Sequence, residues 1–217
     1  MAPRFIGEGP TRKYAEKMNL ALLFQQQVLQ SHNKIAVEDG EHVLSYETLH
    51  AKALCLAGRV HSQQLNVCSR VGILIPRGIN HVIAQVAVIY AGGSCVPLDP
   101  KLPEQQLVAR MENLDSTLVI VDTEQSFERS KIGIVRINRE ELGPHPHKDD
   151  SCLPTTVRHN RCCHIFHTSG TTGAPKAVEI LADGLINLIL DPADLIQAGQ
   201  RTGHATTVTF DISMLEI

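Results

Sequence analysis

The sequence predicts an α/β fold in which layers of parallel sheet are flanked by helices. Three observations predict it. Short runs such as Val71-Gly72-Ile73-Leu74-Ile75 and Leu118-Val119-Ile120-Val121 are apolar throughout, as strands buried on both faces are. Stretches with apolar residues at helical spacing lie between them, and alternation of that kind is the mark of a parallel sheet with crossover helices. The 217 residues are 43% hydrophobic, enough for a sizeable core.

The elements follow in order. Residues 1–18 read as an N-terminal tail, with Arg4, Arg12, Lys13 and Lys17 but no hydrophobic centre, so they are not a secretory signal. Glu8 and Glu16 also interrupt the acid-poor pattern of a transit peptide. Ile35-Ala36-Val37 and Val43-Leu44-Ser45 flank Asp39-Gly40, a strong hairpin turn. From Tyr46 to about Gln64, Leu49, Ala53, Leu56 and Val60 recur at helical spacing. The strand Val71–Ile75 comes next, then a helix from Asn80 to Ala91 and a strand over Cys95–Leu98. Pro103 introduces a helix from Glu104 to Leu114, which the strand Leu118–Val121 follows. Residues 142–160 are polar, carry Pro144, Pro146 and Pro154, and read as a surface loop. His164–His167 and Ala177–Ile180 read as strands, Asp183–Leu190 as a helix and Ala205–Val208 as a strand. The sequence then stops on the apolar run Thr209–Ile217 without cap, turn or polar tail, and so reads as truncated.

Composition narrows the function classes. Net charge is −3, no basic stripe is present, aromatics are 4% and Trp is absent, so nothing supports nucleic acid as a partner. No apolar run approaches the ~18 residues of a membrane span, and the expected compartment is the cytoplasm. The six cysteines, Cys55, Cys68, Cys95, Cys152, Cys162 and Cys163, have no framework spacing. Cys162-Cys163-His164, with His159 and His167 nearby, lacks the Cys-x2–4-Cys pair of a closed zinc site. On a strand Cys163 and His164 also point to opposite faces, so no metal site is expected.

Thr168-Ser169-Gly170-Thr171-Thr172-Gly173-Ala174-Pro175-Lys176 is the segment least explicable as scaffold. It holds four hydroxyls, two glycines and one lysine, and no large apolar side chain. Glycines allow close backbone approach, bared N–H groups make an anion cradle, and hydroxyls and an ammonium add donors. A polyphosphate suits such a cradle. The competing reading is a Ser/Thr/Gly connector, but a strand on each side makes a rigid mount rather than a tether. A Walker P-loop is a poor fit, since only two residues separate Gly170 from Gly173 and Pro175 directly precedes Lys176. Proline also keeps Ala174 out of the helical region.

With these residues in hand, the chain from about Asn19 to its end resembles the front part of an adenylation domain. These domains belong to the adenylate-forming ligase superfamily, which includes acyl-CoA synthetases, luciferases and nonribosomal peptide synthetases. Four blocks carry the resemblance, in the family's order. Leu44-Ser45-Tyr46-Glu47-Thr48-Leu49 is similar to its Leu-Thr-Tyr-x-Glu-Leu signature. Tyr90–Pro100, containing Ala91-Gly92-Gly93-Ser94-Cys95-Val96-Pro97-Leu98-Asp99-Pro100, is similar to Ala-Gly-Gly-Ala-Tyr-Val-Pro-Leu-Asp-Pro. Thr168–Lys176 resembles the phosphate loop, and Phe210-Asp211-Ile212-Ser213 resembles Phe-Asp-x-Ser. The resemblance implies an incomplete N-terminal subdomain of an adenylate-forming enzyme, a partial AMP-binding domain over 19–217.

What the resemblance implies about activity is specific. A carboxylic acid, an amino acid here, is activated with ATP and Mg²⁺ as an acyl-adenylate. A phosphopantetheine thiol on a carrier-protein domain, or coenzyme A, then accepts the acyl group. Thr168, Ser169, Gly170, Thr171, Thr172, Gly173 and Lys176 would hold the ATP phosphates. Asp211 would pair with the substrate's α-ammonium, a charge-assisted bond that acids lacking the amine do not make. The competing reading of Asp211 is a strand-end aspartate capping a turn. Ile212 and Leu215 would line the side-chain pocket.

The sequence also departs from the family. Ala177 replaces the glycine after the loop lysine, His164 and His167 stand where tyrosines are frequent, and Leu181-Ala182-Asp183 replaces a Glu-His-Arg-like run. The Tyr-Gly-Pro-Thr-Glu block, the ribose-binding aspartate and the C-terminal lysine have no counterpart in the chain. No catalytic residue is therefore expected within it, and alone it is expected to be inactive. Two other readings stay open: an acyl-CoA synthetase or carboxylate reductase, and a non-catalytic remnant that at most binds nucleotide.

Overall fold

The computed structural model describes residues 19–40, 42–63, 69–123, 127, 132–138, 161–168, 175–190, 201–203 and 208–209. Helix α1 (Leu20–Ser31) opens the fold, its first turn capped by Asn19, whose side chain accepts a hydrogen bond from the Leu22 amide at 2.8 Å. The hairpin β1 (Ile35–Asp39) and β2 (His42–Ser45) forms where expected, with Gly40 at φ 59°, the conformation its turn requires. Helix α2 (Tyr46–His61) starts at Ser45, whose hydroxyl accepts from the Thr48 amide at 3.1 Å. Glu47 sits in its first turn and Arg59 and His61 in its last, so both ends suit the helix dipole.

The main sheet follows as β3 (Arg70–Leu74), β4 (Ser94–Pro97), β5 (Leu118–Asp122), β6 (Gly133–Ile137), β7 (Cys162–Thr168) and β8 (Lys176–Leu181). Helix α3 (Ile79–Tyr90) joins β3 to β4, α4 (Glu104–Glu112) joins β4 to β5, and α5 (Ala182–Ile189) follows β8. The strand order is β6-β5-β3-β4-β7-β8. The first five strands of that order run parallel, as the apolar runs predict, while β8 pairs antiparallel with β7. The sheet is therefore mixed rather than wholly parallel. The 169–175 link is too short for a crossover, which takes a dozen residues or more.

Most expected boundaries shift by one to three residues. The periodicity missed α1 and β6. Val208 is buried and sits in a turn rather than a strand, while 205–207 and the expected loop over 142–160 lie outside the described residues.

Two cores, one on each face of the sheet, hold the layers. Leu56, Val60, Ile79, Ile83, Val88 and Tyr90 of α2 and α3 pack on Val71, Ile73, Cys95 and Ile120. On the other face Leu107 and Met111 of α4 pack on Val96, Val119, Val121 and Ile165. Gly72 lets α4 approach: a Cβ there would stand 3.2 Å from Leu98 Cδ1 and Val119 Cγ2 and 3.3 Å from Met111 Cε. Each core strand so buried contributes on the order of 25 cal/mol per Å² of apolar surface removed from water.

Candidate functional site

The β7–β8 hairpin is built from a seven-residue and a six-residue strand in continuous register from His164↔Ile180 to Thr168↔Lys176. Residues 169–174, which join the two strands in sequence, lie outside the described residues. The hairpin lies at the edge of the sheet, next to β4, and β7 runs parallel to its neighbour. The mouth of the hairpin, at Thr168 and Lys176, therefore lies at the carboxyl end of the parallel strands, where open α/β sheets bind their ligands.

Thr168 and Lys176 face each other across the mouth of the hairpin, both exposed, with the Thr168 hydroxyl donating to the Lys176 carbonyl at 3.4 Å. Opposed residues of an antiparallel pair share a face, and alternate residues of a strand do too. Thr168 and Lys176 thus stand above Phe166 and His164, on the side of the sheet that carries α3. Ile165, His167 and Glu179 occupy the α4 side, where Ile165 joins the core of Leu107 and Met111. The described pair offers a hydroxyl and an ammonium, donors suited to phosphate oxygens rather than to a cation. Among the described residues no group of three or more His, Cys, Asp or Glu side chains is arranged to hold a metal.

Ser169, Gly170, Thr171, Thr172 and Gly173 lie outside the described residues, as do Asp211, Ile212 and Leu215. The structure thus brings Thr168 and Lys176 together and leaves the remaining candidates as sequence expectations.

Several contacts fix the hairpin beneath this mouth. The pairing slips between Cys162 and His164, a bulge that puts two residues of β7 against one of β8. There the Cys163 thiol meets the Ile180 carbonyl at 3.4 Å, and burial, with Cys162 adding to it, pushes that thiol up to about 12. The Ser94 hydroxyl donates to the Cys162 carbonyl at 2.7 Å, tying β7 to β4. Arg70 ties β8 across the sheet, reaching Glu179 Oε1 at 3.2 Å and the Leu114 carbonyl at 3.1 Å.

His164 is 3% exposed, and neither ring nitrogen has a hydrogen-bond partner among the described residues. Burial first, and the nearby His81 second, hold its pKa at about 3, so the imidazole is neutral. Its ring lies parallel to Phe166, with centroids 6.0 Å apart and planes 7° apart. His81 is paired: Nε2 meets Gln85 Nε2 at 2.9 Å and Nδ1 meets the Ile75 carbonyl at 3.1 Å. With the Gln85 amide donating to Nε2, the proton sits on Nδ1 and the Ile75 carbonyl accepts it. His167 is half-buried, and burial followed by the Arg110 cation lowers its pKa. The Arg70 tie was not legible in the sequence, because it depends on which strands are neighbours. The His81–Gln85 pair is an i, i+4 contact within α3, so its spacing is the signal that could have found it.

Solved structures share this fold. FmoA3, a nonribosomal peptide synthetase captured with AMPPNP, matches with a TM-score of 0.81 at 19% identity over 95% of this chain and 22% of its own. The N-terminal subdomain of Klebsiella oxytoca NpsA, in complex with 3-hydroxybenzoyl-AMSN, matches with a TM-score of 0.75 at 19% identity, over 90% of this chain and 49% of its own. The fold is that of the N-terminal subdomain of nonribosomal peptide synthetase adenylation domains.

The family model of AMP-binding enzymes matches residues 24–217, and the chain belongs to that adenylate-forming family. Among curated proteins, the non-canonical nonribosomal peptide synthetase FrzA of Cladobotryum is 36% identical over 92% of this chain. The aldehyde reductase lnbA of Aspergillus flavus is 36% identical over 94% of it. The chain spans 20% of the length of each of these two relatives. Gramicidin S synthase 2 of Brevibacillus brevis is 31% identical over 94% of this chain.

Proposed function

We propose that the chain supplies the phosphate-holding part of an enzyme that activates an amino acid as its acyl-adenylate. The supporting observation is the placement of Thr168 and Lys176. They stand opposed on one face of a braced hairpin, at the carboxyl edge of the sheet, in a chain of the AMP-binding family. In this reading Lys176 and the Thr168–Gly173 donors hold the β- and γ-phosphates. A carboxylate oxygen of the acid attacks the α-phosphorus, the bond from that phosphorus to the bridging oxygen breaks, and pyrophosphate leaves. A carrier-protein phosphopantetheine or coenzyme A thiol then takes the acyl group and AMP departs. Such transfer depends on positioning and charge neutralisation, which a fixed lysine and oriented N–H groups supply. Mg²⁺ accompanies the nucleotide and neutralises phosphate charge; no described side chain is assigned to it.

Asp211 would select an amino acid by pairing its α-ammonium, with Ile212 and Leu215 beside the substrate side chain. The test is ATP–pyrophosphate exchange across amino acids and simple carboxylic acids. It is run on the 217-residue chain and on the chain joined to the portion of FrzA that follows the matched stretch. Exchange by the joined protein with an amino acid, and none by the short chain, is expected, since the chain spans a fifth of such relatives. Exchange with an acid lacking the amine points to an acyl-CoA synthetase-like enzyme and removes the role given to Asp211. Binding of ATP without any exchange leaves a nucleotide-binding remnant.

A further inference from the structure

The bulge at the start of β7 falls on two adjacent cysteines, Cys162 and Cys163. In a regular strand, residues two apart share a face and neighbours take opposite ones, which holds adjacent thiols apart. That alternation fails here. His164 lies on the α3 side, paired with Cys95 of that side's core. Cys162, two residues earlier, packs instead against the α4-side core and pairs with Leu181, which shares that side with Glu179. The change of face occurs at Cys163, the residue that the bulge inserts, and Cys163 joins neither core. Its buried thiol donates to the Ile180 carbonyl, whereas the half-buried Cys162 thiol donates to the His164 carbonyl at 3.3 Å. The backbone before the bulge is anchored on both sides. The Ser94 hydroxyl holds the Cys162 carbonyl, and the Ala182 amide donates to the Arg161 carbonyl at 2.8 Å.

We propose that Cys162 and Cys163 are a modification site, a dithiol that oxidised glutathione closes to a vicinal disulfide, loosening the β7–β8 pairing. The more exposed Cys162 reacts first. Its thiolate attacks one sulfur of the glutathione disulfide, that bond breaks, and one glutathione leaves. Cys163 then gives up its proton and attacks Cys162 Sγ, which releases the second glutathione. The two cysteine thiols lose two electrons and two protons, and the glutathione disulfide takes them up. The second step is internal, so burial of Cys163 does not block it; a thiol held at about 12 makes it the slower one. Adjacent Cα atoms stand about 3.8 Å apart, less than the ~4.4–6.8 Å that disulfides prefer, so the bond is strained and readily reversed. Because the backbone before Cys163 is anchored, that strain falls on Cys163 and its hold on Ile180. Cys95 is a poor competitor, being wholly buried with its thiol on the Gln85 carbonyl of α3 at 3.6 Å.

The experiment incubates the folded 217-residue chain with excess oxidised glutathione, alkylates the remaining thiols, digests with trypsin and weighs the peptides. The tryptic peptide Cys162–Lys176 holds both of these cysteines and no other. It is expected to lack two hydrogens and to escape alkylation until dithiothreitol is added. Cys163→Ser, checked by circular dichroism, is expected to stop at a glutathione adduct on Cys162. Amide hydrogen exchange across β8 is expected to quicken at least tenfold in the oxidised parent and to recover after dithiothreitol. Neither readout involves nucleotide, so failure of the phosphate site and failure of this inference are told apart. A parent peptide that carries only glutathione adducts or stays fully alkylated overturns the proposal. So does a disulfide from either cysteine to Cys95, or exchange across β8 that oxidation leaves unchanged.

Discussion

His164 brings a polar ring into β7 with no partner for either nitrogen among the described residues. The cost is a buried donor without an acceptor, about 1–3 kcal/mol. In the unfolded chain the ring titrates near 6.5, whereas in the fold burial holds it at about 3. Between those values the unfolded state binds a proton that the native state does not. Stability is therefore complete above about pH 6.5 and falls as pH drops toward 3, by up to about 1.4 kcal/mol per pH unit for this group. His50 and His167, also lowered by burial, act in the same direction. Urea melts across pH 4–7 should show His164→Phe losing part of that slope without losing stability at pH 7; an unchanged slope removes His164 from the account.

At the scale of elements, caps and close approaches decide what forms. The Ser45 hydroxyl satisfies the Thr48 amide, so Ser45→Ala should cost about 1 kcal/mol, measured as a fall in the urea midpoint at constant m-value. Gly72→Val should cost about 1–3 kcal/mol, because three side chains already stand within 3.3 Å of where its Cβ would be. A Gly72→Val chain as stable as the parent would show that α4 yields more easily than its packing suggests. The β3, β5 and α2–α4 assignments were legible because apolar runs and helical spacing report burial directly. Helix α1 was not, since Leu20-Ala21-Leu22-Leu23-Phe24 is a continuous apolar run that periodicity cannot assign to a face. β6 was missed because Gly133-Ile134-Val135-Arg136-Ile137 carries a charge within a short run. Direction is a third case: the strand–loop–strand mount is evident in the sequence, but the antiparallel course of β8 follows from the shortness of the link and not from the apolar pattern, which is the same for either direction.

Across the whole molecule, the sequence marks the site through composition, and the fold supplies its position. Glycines, hydroxyls and a lysine identify an anion cradle in any context, whereas the bracing by Arg70, Ser94 and Cys163 exists only once β3, β4, β7 and β8 are assembled. The central claim is that Lys176 stands at the mouth of a nucleotide-phosphate site, and calorimetric titration of the 217-residue chain with ATP tests it most directly. A charged hydrogen bond contributes about 1.5–3 kcal/mol, so Lys176→Ala should weaken ATP binding by roughly 10- to 150-fold while leaving the melting midpoint unchanged. Equal affinity in the parent and Lys176→Ala chains, or no binding by the folded parent, would contradict it.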